Sequence, residues 1–175
     1  MPENWLASLK PPKRKKAEQM ISLMTAWGAP DAEEWVESEI EEDIPQMARF
    51  LMLRGLWSEI DAWRDQSGEW VSRMKSTAEE DPKGYFADAG LALKRMEEVG
   101  VNSDDLGRVA RCVAYESIFS VLHRIDEGGD PEAEDAPGWA LAEIDSKGEG
   151  TGRVVVGLHE DLLSLDPSGR EGRVV

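Results

Sequence analysis

Cysteine is nearly absent from this chain. Cys112 is the only one in 175 residues, so no internal disulfide can form, and a reducing, cytoplasmic setting is the simpler expectation. Long apolar runs are missing as well. None approaches the ~20 residues that a membrane span needs, which excludes the membrane class. Positive charge is also in short supply. Twenty Lys and Arg stand against 36 Asp and Glu, a net charge of −16, whereas a phosphate backbone is gripped by clustered basic residues. Nucleic acid is therefore not an expected partner.

Motifs that fix a reaction are equally scarce. No Gly-x-Ser-x-Gly elbow occurs, and the two histidines lack the pairing seen in His-Glu-x-x-His zinc sites. Gly148-Glu149-Gly150-Thr151-Gly152-Arg153 resembles a phosphate loop only superficially. It lacks the Gly-Lys-Ser/Thr ending, leads into a strand and carries an acid where phosphate would sit, so it reads as a hairpin turn. Ser168-Gly169-Arg170 reads as an ordinary loop. Cys112, near Arg108 and Arg111, is expected to be buried, as lone cysteines commonly are. Nothing in these residues supports an enzyme or calls for a cofactor.

What the chain does have is apolar material: 41% hydrophobic residues, with seven Trp and seven Met. That suffices for one ordinary core. The expected architecture is mainly α: an orthogonal or up-down bundle of about six helices with a small C-terminal β-hairpin near 139–157. One domain is expected over 1–168, with 169–175 as a tail.

Pro11-Pro12 suit a first helical turn, and Ala17, Met20, Ile21, Met24 and Trp27 then recur at helical spacing up to a cap at Gly28. Although Lys13 to Lys16 precede apolar residues, Glu18 and Gln19 interrupt the stretch and Gly28-Ala29-Pro30 makes a poor cleavage site, so it is not read as a secretory signal. A second helix carries Ala32, Trp35, Val36 and Ile40. The short linker predicts a helical hairpin in which Lys13 to Lys16 neutralise Glu39, Glu41, Glu42 and Asp43.

From Pro45 a third helix runs through Met47, Phe50, Leu53, Trp57, Ile60 and Trp63 with apolar residues on most sides, as in the middle of a bundle. Gly55 inside it costs about 1 kcal/mol against Ala unless a neighbouring helix needs the close approach. Two further helices follow, from Glu69 towards Asp81-Pro82 and from Phe86 to a stop at Gly100. A long helix over 104–126, capped by Asn102 or Ser103, presents a wide apolar arc and is expected to be a second core helix. The acidic Gly/Pro stretch 127–138 is a surface loop.

Two short strands, 139–144 and 153–156, form the hairpin, which must lie on helices or meet a strand of another chain. A monomer and a homodimer both satisfy that edge. A last short helix spans 158–165.

Function is read from charge. Asp31 to Asp43 and Asp126 to Asp135 are acidic runs without Lys or Arg, and such faces steer a basic protein into contact. The expectation is a non-catalytic acidic interaction module, of inhibitor or immunity type, that binds a basic partner through Glu33, Glu34, Glu37, Glu41, Asp130, Glu132, Glu134 and Asp135. Trp139, just after the Gly/Pro loop, is the tryptophan expected to be partly exposed there, with Trp27, Trp35, Trp57 and Trp63 on apolar faces. The alternative is a metal-binding protein or metal-dependent enzyme that uses His123, Glu127 and His159, because a histidine and a carboxylate four residues on can reach one ion.

Overall fold

A computed structural model describes residues 5–132 and 135–173. They form eight helices and one two-stranded antiparallel sheet, so the chain is mainly α with a small C-terminal hairpin. In order these are α1 (Trp5–Ser8), α2 (Pro11–Ala26), α3 (Ala32–Glu42), α4 (Gln46–Asp65), α5 (Ser67–Glu80), α6 (Ala87–Glu98), α7 (Ser103–Asp126), β1 (Leu141–Ile144), β2 (Gly150–Val155) and α8 (Leu158–Leu162). No helix is long and apolar enough to cross a membrane among the described residues. The chain groups into two compact units, residues 1–55 with 120–175, and residues 56–119. Residues of α4 and α7 belong to both.

Local chemistry explains where most helices begin and end. Pro11 and Pro12 occupy the first turn of α2, where a missing N–H costs nothing, and Lys10 before them is extended. Gly28 and Gly100 take left-handed backbone, with φ of 85° and 92°. At each, the next residue's N–H returns to a carbonyl five positions back, Met24 in one case and Met96 in the other. Both helices thus stop in the glycine-dependent way that satisfies their last carbonyls. Asn102 caps α7, its side-chain oxygen accepting from the Asp105 N–H at 2.8 Å.

In the first unit α2 and α3 pack together as the short linker implies. Ala17, Met20, Met24, Ala32 and Val36 are buried, while Trp35 meets Phe50 edge to face at 6.0 Å. The expected clasp between Lys13 to Lys16 and the α3 acids does not form. Arg14 instead donates to the carbonyls of Leu6, Ala7 and Leu9, capping the C-terminal end of α1. Among the described residues, neither it nor Lys13, Lys15 or Lys16 pairs with an α3 acid. Glu39 has better-placed partners elsewhere.

In the second unit α5 packs on α6, with Trp70, Val71 and Leu93 at the centre and Met74, Leu106 and Ala110 against them. The Trp70 indole donates to the Trp63 carbonyl at 2.7 Å. Arg111 pairs with Asp61 at 2.6 Å and lies over the Trp57 ring. Burial holds the Tyr115 hydroxyl above the ordinary tyrosine range, with Glu116 adding to it.

Two helices differ from expectation. In α4 a single stripe, Phe50, Leu53, Trp57 and Ile60, is buried, and the other side carries Arg54, Ser58 and Glu59, so Leu51 and Trp63 are left exposed. Counting apolar residues overstated its coverage. In α7 only Gly107 and Leu122 are buried, and Val109, Val113 and Val121 are more than half exposed. Its apolar arc is wider than the surface that packs on it. Cys112 on that helix is exposed as well.

The glycines also sort differently. A Cβ at Gly55 would meet nothing within 4 Å, whereas one at Gly90 would collide with the Met74 carbonyl and lie 2.6 Å from the Ala78 Cβ. Close approach is needed where Gly90 meets α5, not at Gly55. Gly55→Ala is therefore expected to raise unfolding stability by about 0.5 to 1 kcal/mol, and Gly90→Ala to lower it by about 1 to 3 kcal/mol through overpacking. Urea denaturation of both variants checks the pair, and equal effects would contradict it.

Candidate functional site

The polar chemistry of the first unit gathers at the residue that links the hairpin to the last helix. Gly157 has a φ of 69°, which glycine adopts without the cost borne by other residues. Its N–H donates to Asp126 Oδ1 at 3.0 Å, and its carbonyl accepts from Arg49 Nη2 at 3.0 Å. Arg49, itself 8% exposed, also donates to Asp161 Oδ2 at 2.5 Å and to Gln46 Oε1 at 3.0 Å. One glycine is thereby held by α4 and by the end of α7, while α8 is tied to α4. A Cβ at position 157 would lie 3.2 Å from Arg49 Nη2.

The same Asp126 receives a histidine. Its Oδ2 lies 2.6 Å from His159 Nδ1, and the His123 ring stands edge-on to His159 with centroids 4.9 Å apart. Two of the three residues proposed as metal ligands do converge. Glu127 does not join them, because it accepts from Arg124 at 2.9 Å and lowers the energy of the charged guanidinium. Among the described residues no group of three or more His, Cys, Asp or Glu is arranged to hold a metal ion. The chemistry shown is a carboxylate orienting one imidazole beside another.

A second node forms around Arg153 on β2. Its guanidinium makes two hydrogen bonds to Glu143, at 2.6 and 2.8 Å, and one to Glu39 at 3.1 Å, with Asp43 at 3.6 Å. The other oxygen of Glu39 accepts from the Met47 N–H at 2.9 Å, in the first turn of α4. Burial alone would lower the Arg153 pKa, but hydrogen bonding and charge from Glu143 and Glu39 outweigh it and raise it. The guanidinium stays charged, and Glu39 faces inward with 6% exposure.

The residues named as a partner-binding face fall into two groups. On α3, Glu33, Glu34 and Glu41 are exposed and Glu37 is half-buried, and none of the four forms an ion pair among the described residues. In the loop, Asp130, Glu132 and Asp135 are exposed, but Asp130 lies 3.7 Å from Arg124, and Glu134 falls outside the described residues. Arg124 also stacks over Trp139 at 5.2 Å and accepts the indole N–H on its carbonyl at 3.0 Å. Its own pKa is raised, chiefly by the Glu127 hydrogen bond. Trp139 is 41% exposed and Trp63 44%, so exposure does not single out Trp139.

Sequence reasoning missed Arg49, Asp126 and Arg153. The alternation of β2 carried a trace of the last, since an arginine beside Val155 on the inward face calls for a buried acid. Arg49 reads as an ordinary surface charge on an amphipathic helix, and Asp126, expected outward at the head of the acidic run to Asp135, instead turns to Gly157 and His159. Comparison with known proteins brings no relative: no family model, no curated protein and no solved structure matches the chain.

Gly157→Ala is expected to cost about 1 to 2 kcal/mol for the left-handed backbone, and Arg49→Met about 2 kcal/mol for the bonds it leaves unmade. Because both act on one contact, a double-mutant cycle in urea denaturation should show less than additive losses. Full additivity would mean that the two residues are uncoupled.

Proposed function

We propose that this chain is a non-catalytic acidic interaction protein that engages a basic protein partner, in the manner of an inhibitor or immunity protein. The observation that supports this reading best is the outer face of α3. Glu33, Glu34, Glu41 and Glu42 are exposed there with no counter-ion among the described residues, while the inward acid Glu39 is neutralised by Arg153. Unpaired like charges on one face destabilise a free protein slightly and gain most when a surface of opposite sign covers them. The loop acids contribute less, since Arg124 meets Glu127 and Asp130.

The test is binding of basic proteins to the immobilised chain at low and high salt, beside a variant with Glu33, Glu34, Glu37 and Glu41 all changed to Gln. A partner retained at low salt should lose affinity on the order of tenfold or more with the variant and elute as salt shortens the Debye length below ~5 Å. Equal retention by the variant would reject α3 as the contact.

The metal-binding alternative draws on one observation, the approach of His123 to His159. It predicts that added Zn²⁺ raises the melting temperature and that His123→Ala abolishes the rise. The interaction reading expects no shift with either protein. Elemental analysis of protein purified without chelators gives an independent check.

A further inference from the structure

The loop between α5 and α6 presents two aromatic rings to solvent. Tyr85 is 86% exposed and Phe86 65%, the most exposed aromatic side chains among the described residues, and their rings meet edge to face with centroids 4.3 Å apart. Rings of this size each bury roughly 150 to 250 Å² when they pack. This pair forgoes most of that burial. Phe86 bears a backbone cost as well, because its φ of 56° and ψ of 23° lie in the left-handed region, where a bulky residue is rarely found. Glycine would make the same turn freely. A large ring held outward on strained backbone is the kind of feature that gathers at binding sites.

The loop holds the pair in place. Asp81 accepts the Lys83 N–H on Oδ1 at 3.2 Å and the Gly84 N–H on its carbonyl at 3.0 Å. The Ala87 N–H returns to the Gly84 carbonyl at 3.2 Å, and the Phe86 carbonyl accepts from the Ala89 N–H at 3.1 Å, in the first turn of α6. Side chains carried on a backbone fixed in this way have less freedom to lose on binding.

Charge then selects the occupant. Asp81 Oδ2 lies 2.8 Å from where a Gly84 Cβ would stand, and Asp88 is in the first turn of α6, two residues from Phe86. With Glu80 these make three exposed acids against one base, Lys83, and none of the four forms an ion pair among the described residues. Elsewhere the chain supplies its own cation to a ring, Arg111 over Trp57 and Arg124 over Trp139, each at 5.2 Å. Tyr85 and Phe86 receive none among the described residues. Rings flanked by carboxylates attract a cation through the ring quadrupole and through charge, whereas a phosphate backbone, an anionic lipid surface or the same acidic loop of a second copy is repelled. We propose that Tyr85 and Phe86, with Glu80, Asp81 and Asp88 beside them, form a docking site for an arginine side chain of a basic protein partner. The planar guanidinium stacks on a ring and keeps its N–H groups free to donate to the carboxylates, a combination that the compact lysine ammonium does not offer. This inference rests on the acidic-partner reading above and adds a contact on the second unit and the side chain it takes.

The probe is a flexible peptide of glycine and arginine, titrated at low salt into the ¹⁵N-labelled full chain and into the variant with Glu33, Glu34, Glu37 and Glu41 changed to Gln. Matched peptides carry lysine, or neutral citrulline, in place of arginine. The expected result is amide and ring-proton shifts at residues 80–88 in both proteins, affinity there about threefold higher for arginine than for lysine, and no binding of the citrulline peptide. Phe86→Gly is expected to lower the arginine affinity about threefold and yet to raise the melting temperature by roughly 2 to 4 °C, because the left-handed backbone is relieved. A lower melting temperature with that variant would make the ring a structural one and overturn the proposal, as would equal affinity for the arginine and lysine peptides. Shifts confined to α3, and lost in the Gln variant, would overturn it and leave the acidic-partner reading standing. Absence of shifts in both proteins would overturn both readings. Concentration-dependent shifts at 80–88 without peptide would assign the rings to a second copy and overturn the proposal.

Discussion

Gly157 carries the constraint on which the C-terminal third of the chain depends. Its N–H is taken by Asp126 and its carbonyl by Arg49, so the turn between β2 and α8 is held by two helices that are remote in sequence. The positive φ at this point lets the chain leave the strand and start α8 at once, burying Leu158 and Leu162. Any residue with a Cβ would pay for the backbone and crowd the arginine. A two-stranded ribbon is marginal in water. Here it is anchored through Gly157 just past its end, through the buried Val155 and through Arg153.

Arg153 explains how an acidic protein tolerates its own charge at the inner side of that ribbon. Glu39, Glu143 and Asp43 converge on one guanidinium, and Glu39 also satisfies a donor in the first turn of α4. A carboxylate near the start of a helix is favoured by its dipole. The acids that remain unpaired then lie outward on α3. Internal neutralisation and outward display are two outcomes of the same helix, divided by which face each residue occupies.

The elements were largely legible in the residues. Helical spacing, Pro11-Pro12, Gly28, Gly100 and Asn102 marked boundaries through local backbone chemistry, and the Asp145 to Gly152 turn marked the hairpin. Burial was less legible. The apolar arc of α7 and the apolar count of α4 suggested central helices, yet Val109, Val113, Leu51 and Trp63 face solvent, because a pattern shows which side could be covered and not whether anything covers it.

By itself the sequence determined most of the secondary structure from Pro11 onward, its punctuation and the net charge, all of which follow from interactions within a few residues or from composition, whereas the short α1 before it carried no such signal. Only the tertiary structure decided the partners of the charges: Arg14 with α1 instead of α3, Glu39 with Arg153, Glu127 with Arg124 and away from the histidines, Asp126 with His159 and Gly157. Several of these pairs join positions that are far apart along the chain. An ion pair leaves no periodic trace, and in a chain with 36 acids each base has many candidates that only proximity in the fold can separate.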